Sequence, residues 1–403
     1  MFNQKNRMDK FDFVAAQLDE LKRANLLREP RCIDSAQATS VRIDGREKVL
    51  FCSNNYLGLA DHPKVIQAVI DAVRQYGHGA GASRLISGTM RPHVELEKDL
   101  ARLFRKDAAL VFPSGWTANE AVIKTIPSKG DLLLLDKLDH ASIIDAARSS
   151  EAQFRTYRRD NLNRLEKFLA DKSCARKFII TESIFSMDGD AADLKTLVEL
   201  KVKYDAFLIV DEAHALGCLG ETGAGLAEEM GLLDQVDIVV GTMSKALGSA
   251  GGVAAAKKVV VDLLINKARC FIYTTAPTVA NCAAARAALE IVRTEPHRRE
   301  RLRQNAEYLR TKLNRLGINT GRSISHIVPV IIGGEKEALA VSRSLYEAGF
   351  FVPAIRPPTV PAGTARLRLS LQSEHSKEQM DALCEALEKL VRQGFLPASS
   401  PAV

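Results

Sequence analysis

Five short runs that are almost wholly apolar recur through the middle of the chain, and they constrain its fold more than any other feature. Polar or glycine-containing turns bound each of them. The runs cover residues 108–112, 132–135, 178–181, 207–210 and 238–240. A short strand that is apolar at almost every position is buried on both faces, which is typical of a parallel sheet covered by helices.

Segments with helical spacing, such as 162–170 and 194–204, separate these runs. Alternation of helices with buried strands predicts an α/β fold with a mostly parallel central sheet flanked by helices. After about residue 290 the pattern changes to that of a smaller C-terminal α+β unit. The predicted domains are an N-terminal helix and strand segment (1–50), a large α/β domain (51–290), the small α+β domain (291–395) and a flexible tail (396–403).

Local patterns add predictions at both ends of the chain. Phe11, Val14, Leu18 and Leu21 recur at helical spacing and predict a helix over 11–28. A strand pair is predicted around the turn Asp44-Gly45. The C-terminal predictions are a strand at 327–332, a helix at 335–348, a pair of strands at 350–353 and 365–371, and a helix at 376–392.

Composition excludes several classes of protein. Apolar residues make up 46% of the 403 residues, which excludes wholesale disorder. The sequence contains no run of 18 apolar residues, so no membrane span is predicted. The net charge of +7 includes a basic cluster at 297–303, which helical spacing assigns to a solvated helix face rather than to nucleic-acid binding. Seven scattered cysteines without a CxxC pair predict neither a disulfide framework nor a metal site. These features, with a polar segment at 1–10, predict a cytoplasmic protein.

Reactive side chains follow four of the apolar runs. Asp211 comes directly after 207–210, and Lys245 follows 238–240 after a short turn. Ser114-Gly115-Trp116 follows 108–112, and His140 comes soon after 132–135. Since the carboxyl ends of parallel strands meet at one edge of a sheet, these residues are expected to converge there.

That combination suits pyridoxal 5′-phosphate. A lysine amine forms a Schiff base with its aldehyde, and a carboxylate keeps its pyridine nitrogen protonated so that the ring accepts electrons. Backbone N–H groups at a helix start bind its phosphate, and a flat side chain stacks on the ring. Each residue alone has a structural alternative: Asp211 as a cap, Lys245 as a surface residue, Trp116 as a buried ring, and His140 or His214 as a core histidine. The combination and order favour the cofactor.

A set of motifs then makes the chain resemble the α-oxoamine synthases. These are pyridoxal-phosphate enzymes of fold type I that join an amino acid to an acyl thioester with loss of CO2. The resemblance covers residues 10–390 approximately. The motifs are Asn54-Asn55-Tyr56-Leu57-Gly58-Leu59, Ser114-Gly115-Trp116, Asp139-His140-Ala141-Ser142, Ser186-Met187-Asp188-Gly189-Asp190, Asp211-Glu212-Ala213-His214 and Thr242-Met243-Ser244-Lys245.

The resemblance implies roles for individual residues. Lys245 links to the cofactor and later moves the Cα proton, while Asp211 pairs with the pyridinium nitrogen. His140 stacks on the ring, and His214 and Ser186 lie by the phenolic oxygen. The implied phosphate ligands are Gly115, Trp116 and Thr242. The implied substrate contacts are Arg28, Asn54, His140, Arg356 and Thr359, with Asn54 and Arg356 on the substrate carboxylate.

Residues 354–361 are most similar to the family member that condenses L-alanine with pimeloyl-CoA or pimeloyl-[acyl-carrier protein] in biotin biosynthesis. A relative that takes glycine and acetyl-CoA, or another α-oxoamine synthase, stays open as an alternative. The resemblance also implies a homodimer with active sites at the interface, to which Thr274 or Thr275 of a neighbouring subunit would contribute.

Overall fold

The structure is a computed structural model that describes residues 9–396. The predicted flexible tail, apart from Leu396, and most of the polar N-terminal segment lie outside the described residues.

Helices and short strands alternate along the chain, as the apolar runs predict. The α-helices are α1 (Asp12–Arg23), α2 (Pro63–Tyr76), α3 (Arg91–Leu103), α4 (Gly115–Thr125), α5 (Ala141–Arg148), α6 (Asn163–Ala170), α7 (Leu194–Lys203), α8 (Leu226–Glu229), α9 (Lys258–Lys267), α10 (Arg269–Ile272), α11 (Val279–Thr294), α12 (His297–Arg315), α13 (Glu335–Glu347) and α14 (Lys377–Arg392). The strands are β1 (Ser40–Ile43), β2 (Arg46–Leu50), β3 (Ala108–Phe112), β4 (Leu132–Asp136), β5 (Gln153–Tyr157), β6 (Lys177–Glu182), β7 (Phe207–Asp211), β8 (Ile238–Thr242), β9 (Gly252–Ala256), β10 (Ile327–Gly333), β11 (Phe350–Phe351), β12 (Ala354–Ile355) and β13 (Ala365–Ser370).

The central sheet has seven strands in the order β3-β9-β8-β7-β6-β4-β5. The strands β5, β4, β6, β7 and β8 are parallel, and β9 runs antiparallel to both of its neighbours. All five apolar runs form strands of this sheet, which confirms the predicted fold class. Strands β5 and β9 were not predicted, because neither has a continuous apolar run of large side chains.

Both faces of the central sheet are covered. Alternate residues of its strands belong to two separate hydrophobic clusters, so that Ile179 and Leu208 lie in one and Ile180 and Ile209 in the other. This double burial explains why the strands are apolar at nearly every position. Strand β9 is antiparallel to both β3 and β8, so β3 runs in the same direction as the parallel strands. The carboxyl end of β3 therefore lies at the same edge of the sheet as the carboxyl ends of those strands.

The two N-terminal strands belong to the same sheet as a strand of the C-terminal unit. The hairpin β1–β2 turns at Asp44 and Gly45, whose φ angles of 52° and 71° suit a tight two-residue turn. Strand β2 then pairs in parallel with β11. The predicted pairing of 350–353 with 365–371 is therefore wrong: β13 pairs with β10 and β12 instead. A hairpin pattern cannot reveal that a distant strand offers a better partner.

The first helix is shorter than predicted. It ends at Arg23, and Asn25 follows with a left-handed φ of 57°, which stops the helix. None of its residues is buried, although Val14, Leu18 and Leu21 form the expected apolar stripe.

The basic helix α12 buries Leu302, Ala306, Leu309 and Leu313, in agreement with its helical spacing. The face of α12 that was predicted to be solvated is only partly exposed to solvent. Arg303 is exposed, but Arg298 lies between Glu295 and Glu374 with only 14% of its side chain exposed. Among residues 9–396, no helix has the length and apolar character needed to cross a bilayer.

Candidate active site

Lys245 lies in the turn that follows β8. Its Nζ is 2.7 Å from Nε2 of His214, which follows β7. Burial lowers the pKa of Lys245 to about 8, against the attraction of Asp211 and Glu182. A lysine amine with a pKa near neutrality has a substantial uncharged fraction, which is the form that acts as a nucleophile or a base.

The turn around Lys245 depends on a glycine. Gly248 has a φ of +59°, and its N–H donates to the carbonyl of Lys245 over 2.9 Å. A Cβ atom at this position would lie 2.5 Å from the backbone nitrogen of Ala60. No other residue fits without moving the backbone, so Gly248 fixes where Lys245 emerges.

Asp211 is the last residue of β7. Its Oδ1 accepts from the N–H of Ala213 over 2.9 Å, and its Oδ2 accepts from Nδ2 of Asn119 over 2.8 Å. Asn119 also donates to the hydroxyl of Ser142 over 3.0 Å, and that hydroxyl is 2.8 Å from Nδ1 of His140. A chain of polar contacts therefore fixes the carboxylate relative to the imidazole. Asn119 is not among the predicted site residues, since an asparagine inside a helix gives no distinct signal.

His140 caps the N-terminus of α5 and lies beside Trp116. The ring centroids are 6.0 Å apart, at an interplanar angle of 79°. Both rings are partly open to solvent, and partial burial lowers the pKa of His140 against the attraction of Asp211. Two flat side chains thus line the same opening at the sheet edge.

The N-terminus of α4 is arranged to receive an anion. Ser114 caps it by accepting from the N–H of Thr117 over 3.1 Å. Within the described part of the chain, the N–H groups of Gly115 and Trp116 have no partner in the protein. A Cβ on Gly115 would lie 3.1 Å from Cβ of Thr242, so the glycine lets the helix approach the end of β8. Free N–H groups beside a threonine hydroxyl form a suitable phosphate site.

These residues fit pyridoxal phosphate. A half-buried amine, a buried carboxylate, a flat imidazole and free N–H groups at a helix start lie along one sheet edge. Asn119, which holds the carboxylate, has a buried Oδ1 with no hydrogen-bond partner within the described residues. The donor set therefore matches an aldehyde, a pyridine nitrogen and a phosphate group.

His214 is fully enclosed by the protein. Its Nδ1 lies 2.7 Å from the hydroxyl of Tyr56, and burial together with the charges of Lys245 and Arg368 holds the pKa of His214 well below its usual value. The imidazole is therefore neutral at physiological pH.

Arg368, on β13, is the main residue that the sequence analysis missed. Its Nη2 donates to the hydroxyl of Tyr56 over 3.1 Å, and its Nη1 donates to Oδ1 of Asn54 over 3.2 Å. Its Nε donates to the carbonyl of Ser186. A usable signal exists: Arg366 and Arg368 alternate with leucines in a strand whose six residues are all buried. Charged residues in such a strand are rare unless they are paired or functional.

Arg356, Arg28 and Thr359 lie together at the N-terminal segment. Arg356 donates to the carbonyls of Asn25 and Leu27, while its Nε is buried without a partner among the described residues. Arg28 donates to the carbonyl of Pro357 over 2.9 Å. Thr359 is exposed. The planar fork of Arg356 is thus occupied by backbone, and its role on a substrate carboxylate stays a prediction.

Comparisons with known proteins agree over nearly the whole chain. Residues 46–387 match the family model described as aminotransferase class I and II. An 8-amino-7-oxononanoate synthase from Geobacter sulfurreducens is 44% identical over 383 residues, which cover 94% of this chain and 98% of that protein. One from Anaeromyxobacter dehalogenans is 44% identical over 97% of this chain and 98% of that protein.

Solved structures show the same fold. A serine palmitoyltransferase from S. paucimobilis with bound PLP has a TM-score of 0.90 at 31% identity, covering 96% of this chain and 99% of that chain. An 8-amino-7-oxononanoate synthase from Francisella tularensis has a TM-score of 0.76 at 29% identity, covering 87% of this chain and 99% of that chain. The chain belongs to the 8-amino-7-oxononanoate synthase family, within the class I and II aminotransferases.

Proposed function

We propose that this protein is a pyridoxal-phosphate-dependent acyltransferase that condenses L-alanine with a pimeloyl thioester. The products are 8-amino-7-oxononanoate, CO2 and the free thiol carrier, a reaction of biotin biosynthesis. Relatives named for this product are 44% identical over nearly their full length. The observation that carries the cofactor chemistry is the half-buried amine of Lys245, which lies 2.7 Å from His214 at the sheet edge that also holds the buried Asp211.

The cofactor would be held by residues already described. Lys245 would carry its covalent link, Asp211 would pair with its ring nitrogen, and His140 would lie against its ring. Its phosphate would be bound by Gly115, Trp116 and Thr242, and its phenolic oxygen by His214 and Ser186. When bound, pyridoxal phosphate supplies an aldehyde for an amine and a ring that takes up the electrons of a bond broken at Cα.

Arg368 and Asn54 are suited to bind the carboxylate of the amino acid. The arginine offers a planar fork, and burial strengthens its attraction for an anion. Contacts to Tyr56 and to the Ser186 carbonyl fix its orientation. A carboxylate held here has a fixed direction, so the amino acid presents one bond at Cα to Lys245. We propose Arg368 as the principal carboxylate ligand, with Arg356 at the outer boundary of the site.

Lys245 is suited to move the Cα proton. When Lys245 is not linked to the cofactor its amine is free, and its lowered pKa keeps much of it uncharged near pH 8. Asp211 and Glu182, both nearby, stabilise the ammonium ion that forms when the amine takes the proton. The residue can therefore accept and return a proton without a large change in free energy.

Arg28 and Thr359 lie at the surface beside the Arg356 loop, which makes them candidates for contact with the acyl thioester. Both coenzyme A and an acyl carrier protein present phosphate, which a surface arginine attracts. We propose that either carrier approaches along this segment.

We further propose a cytoplasmic homodimer with Thr274 or Thr275 reaching the neighbouring site. The backbones of Ser83 and Thr275 form an isolated antiparallel β-bridge, which brings two exposed segments together. Ile86 is 81% exposed and Tyr273 is 72% exposed, which is unusual for large apolar residues of a monomer. A molar mass twice that of the chain in light scattering would support this proposal, and a monomer at micromolar concentration would overturn it.

The function is tested with a panel of substrates. Purified enzyme loaded with pyridoxal phosphate is offered alanine, glycine or serine with pimeloyl-CoA, pimeloyl-[acyl-carrier protein], acetyl-CoA or palmitoyl-CoA. Thiol release and product mass are recorded. Alanine with a pimeloyl thioester should give 8-amino-7-oxononanoate at the highest kcat/KM. Preference for glycine and acetyl-CoA, or for serine and palmitoyl-CoA, would assign the chain to another α-oxoamine synthase activity.

The cofactor link is tested separately. Borohydride reduction should fix the pyridoxyl group on the peptide that contains Lys245, and Lys245→Ala should lose both the visible absorbance of the bound cofactor and turnover. Lys257→Ala, at a surface lysine after β9, is the matched control and should retain both. Labelling of any other lysine would refute the assignment.

A further inference from the structure

Two carboxyl groups lie side by side at the sheet edge that carries Lys245. Glu182 is the last residue of β6 and Asp211 is the last residue of β7, and the two are paired in register on adjacent parallel strands. Residues paired in this way point to the same face of a sheet, from backbones about 4.8 Å apart. Only 2% of Glu182 and 6% of Asp211 is exposed. Two negative charges at this spacing would repel each other strongly, because little water separates them.

The two carboxyl groups differ in the donors that they receive. Asp211 accepts from the N–H of Ala213 on one oxygen and from Nδ2 of Asn119 on the other. Glu182 has a buried Oε1 that no donor among residues 9–396 reaches. An ionised carboxylate can only accept hydrogen bonds, so burial of an oxygen without a donor penalises the charged form. The negative charge is therefore better placed on Asp211, and a proton is better placed on Glu182.

The surroundings of Glu182 favour the same distribution. Burial and the repulsion of Asp211 raise the pKa of Glu182 to about 8, against three opposing groups. Those groups are the amine of Lys245, the N–H of His140 and the guanidinium of Arg159. Asp139 and Tyr56 face the same carboxyl group. Burial and repulsion thus outweigh the attraction of two cations, and Glu182 is protonated at neutral pH.

We propose that Glu182 is a positioning residue that carries a proton beside Asp211, so that a single negative charge faces the ring nitrogen of the cofactor and the amine of Lys245. This proposal rests on the proposed function of the site. An ionised Glu182 would hold Lys245 as an ammonium ion, which cannot take up a further proton. It would also repel the negative charge of Asp211, which the ring nitrogen needs.

The proton confines the charge of Glu182 to alkaline pH. At pH 7 Glu182 is neutral, and Asp211 alone attracts the ammonium form of Lys245. As the pH rises through about 8, Glu182 gives its proton to water, and its negative charge then adds to the attraction of Asp211. Because the two titrations influence each other, Lys245 should lose its proton over a wider pH range than an isolated amine does.

The proton on Glu182 is measured by infrared spectroscopy of the full-length chain without cofactor. The carbonyl stretch of a protonated carboxyl group is separate from the bands of an ionised carboxylate. At pH 7 the difference spectrum between wild type and Glu182→Gln should contain this stretch, which should fade as the pH rises through about 8. Glu166→Gln is the matched control. Glu166 is an ionised partner of Lys203 on the surface, so its removal should leave the stretch unchanged.

Asp139→Asn separates Glu182 from the neighbouring buried carboxyl group. Both oxygens of Asp139 accept backbone N–H groups, from Asp136 and from Glu182. If the stretch that fades near pH 8 is absent from Asp139→Asn but present in Glu182→Gln, the proton lies on Asp139 and the proposal is overturned. A wild type without the stretch overturns it as well. Circular dichroism shows whether each variant is folded. If Glu182→Gln does not fold, Glu182→Leu gives the same comparison, because it also removes the carboxyl group without adding charge.

The pH profile of proton exchange separates this role from a purely structural one. The loaded enzyme exchanges the Cα proton of L-alanine with deuterated water in the absence of any thioester, and kcat should rise with pH as Lys245 loses its proton. Glu182→Gln replaces one neutral group by another at neutral pH, so its kcat below pH 7 should equal that of wild type. At higher pH the variant should reach its plateau first, because no second negative charge develops beside the amine.

Two other profiles would contradict the proposal. If Glu182 is ionised throughout, its replacement lowers the pKa of Lys245, and the variant exchanges roughly tenfold faster than wild type below pH 7 for a pKa lower by about one. If Glu182 only supports the fold, the variant is slower by the same factor at every pH. Absence of exchange in wild type would count against the proposed function, whereas the infrared measurement would still stand.

Discussion

Arg159 lies between three carboxylates, under the segment that carries Ser186. It donates from Nε and Nη2 to Asp190 over 2.8 and 2.9 Å. It also contacts Asp136 at 3.3 Å and Asp188 at 3.2 Å. Only 10% of the Arg159 side chain is exposed, so this cluster is largely shielded from water.

Replacing Arg159 with methionine keeps an unbranched stem over the ring of Phe185, which the guanidinium carbon approaches to 3.7 Å. It leaves three carboxylates without their shared cation. Removing one partner of a buried ion pair costs about 3–5 kcal/mol, because the remaining charge stays buried. Burial already raises the pKa of Asp136 even in the presence of Arg159, so burial outweighs attraction there. Asp188 keeps its ion pair with Arg366, so the newly unpaired charge is mainly that of Asp136, and the loss of stability should fall within that range.

Unfolding in urea, followed by circular dichroism, measures the loss. Arg158→Met is the matched control, because within residues 9–396 the adjacent arginine forms an ion pair only with Asp160, and 70% of its side chain is exposed. Exposed pairs contribute little, so this control should be close to wild type. The fluorescence of Trp116, the single tryptophan, reports separately on the cofactor site. Equal stability of the two variants would refute the reasoning.

The stability difference should also depend on pH. Without Arg159, the pKa of Asp136, which burial already raises, rises further above its value in the unfolded chain. The folded variant then binds a proton more readily than the unfolded one, so its deficit in stability is largest at neutral pH and shrinks as the pH falls through the raised pKa of Asp136. A deficit that is constant from pH 8 to pH 5 would indicate lost packing rather than unpaired charge.

Three further predictions follow from the site and its surroundings. Asp211→Asn should still bind pyridoxal phosphate but lose at least about 10²-fold in kcat, since a neutral amide cannot hold the ring nitrogen protonated; steady-state rates near wild type would contradict this role. Arg368→Gln should raise KM for alanine more than about tenfold, whereas Arg356→Gln should have a smaller effect; the reverse order in initial-rate assays would return the carboxylate to Arg356. Burial lowers the pKa of His326 to about 3 and of His375 to about 4, so the unfolded chain takes up protons first as the pH falls below 6.5 and stability should decline from there toward pH 4; urea midpoints that stay constant over this range would argue against buried neutral histidines.

Local sequence patterns determined much of the architecture. Short apolar runs predict the buried strands, and the residues that follow them place Asp211 and Lys245 at one edge. The structure brings Lys245 within 2.7 Å of His214 and close enough to Asp211 for the carboxylate to attract its charge. These predictions succeed because burial on both faces and the direction of parallel strands depend on patterns a few residues long.

Tertiary structure alone decided which distant groups meet. Strand β11 pairs with β2 rather than with β13, and Arg356 donates to the carbonyls of Asn25 and Leu27. Arg368 lies against Tyr56 and Asn54, more than 300 positions earlier in the chain. The sequence around a hydrogen-bond donor does not identify its acceptor, because the packing of whole helices and strands decides which groups meet. The sequence therefore determined the strands and the reactive residues at their ends, whereas only the folded chain decided which arginine faces the amine.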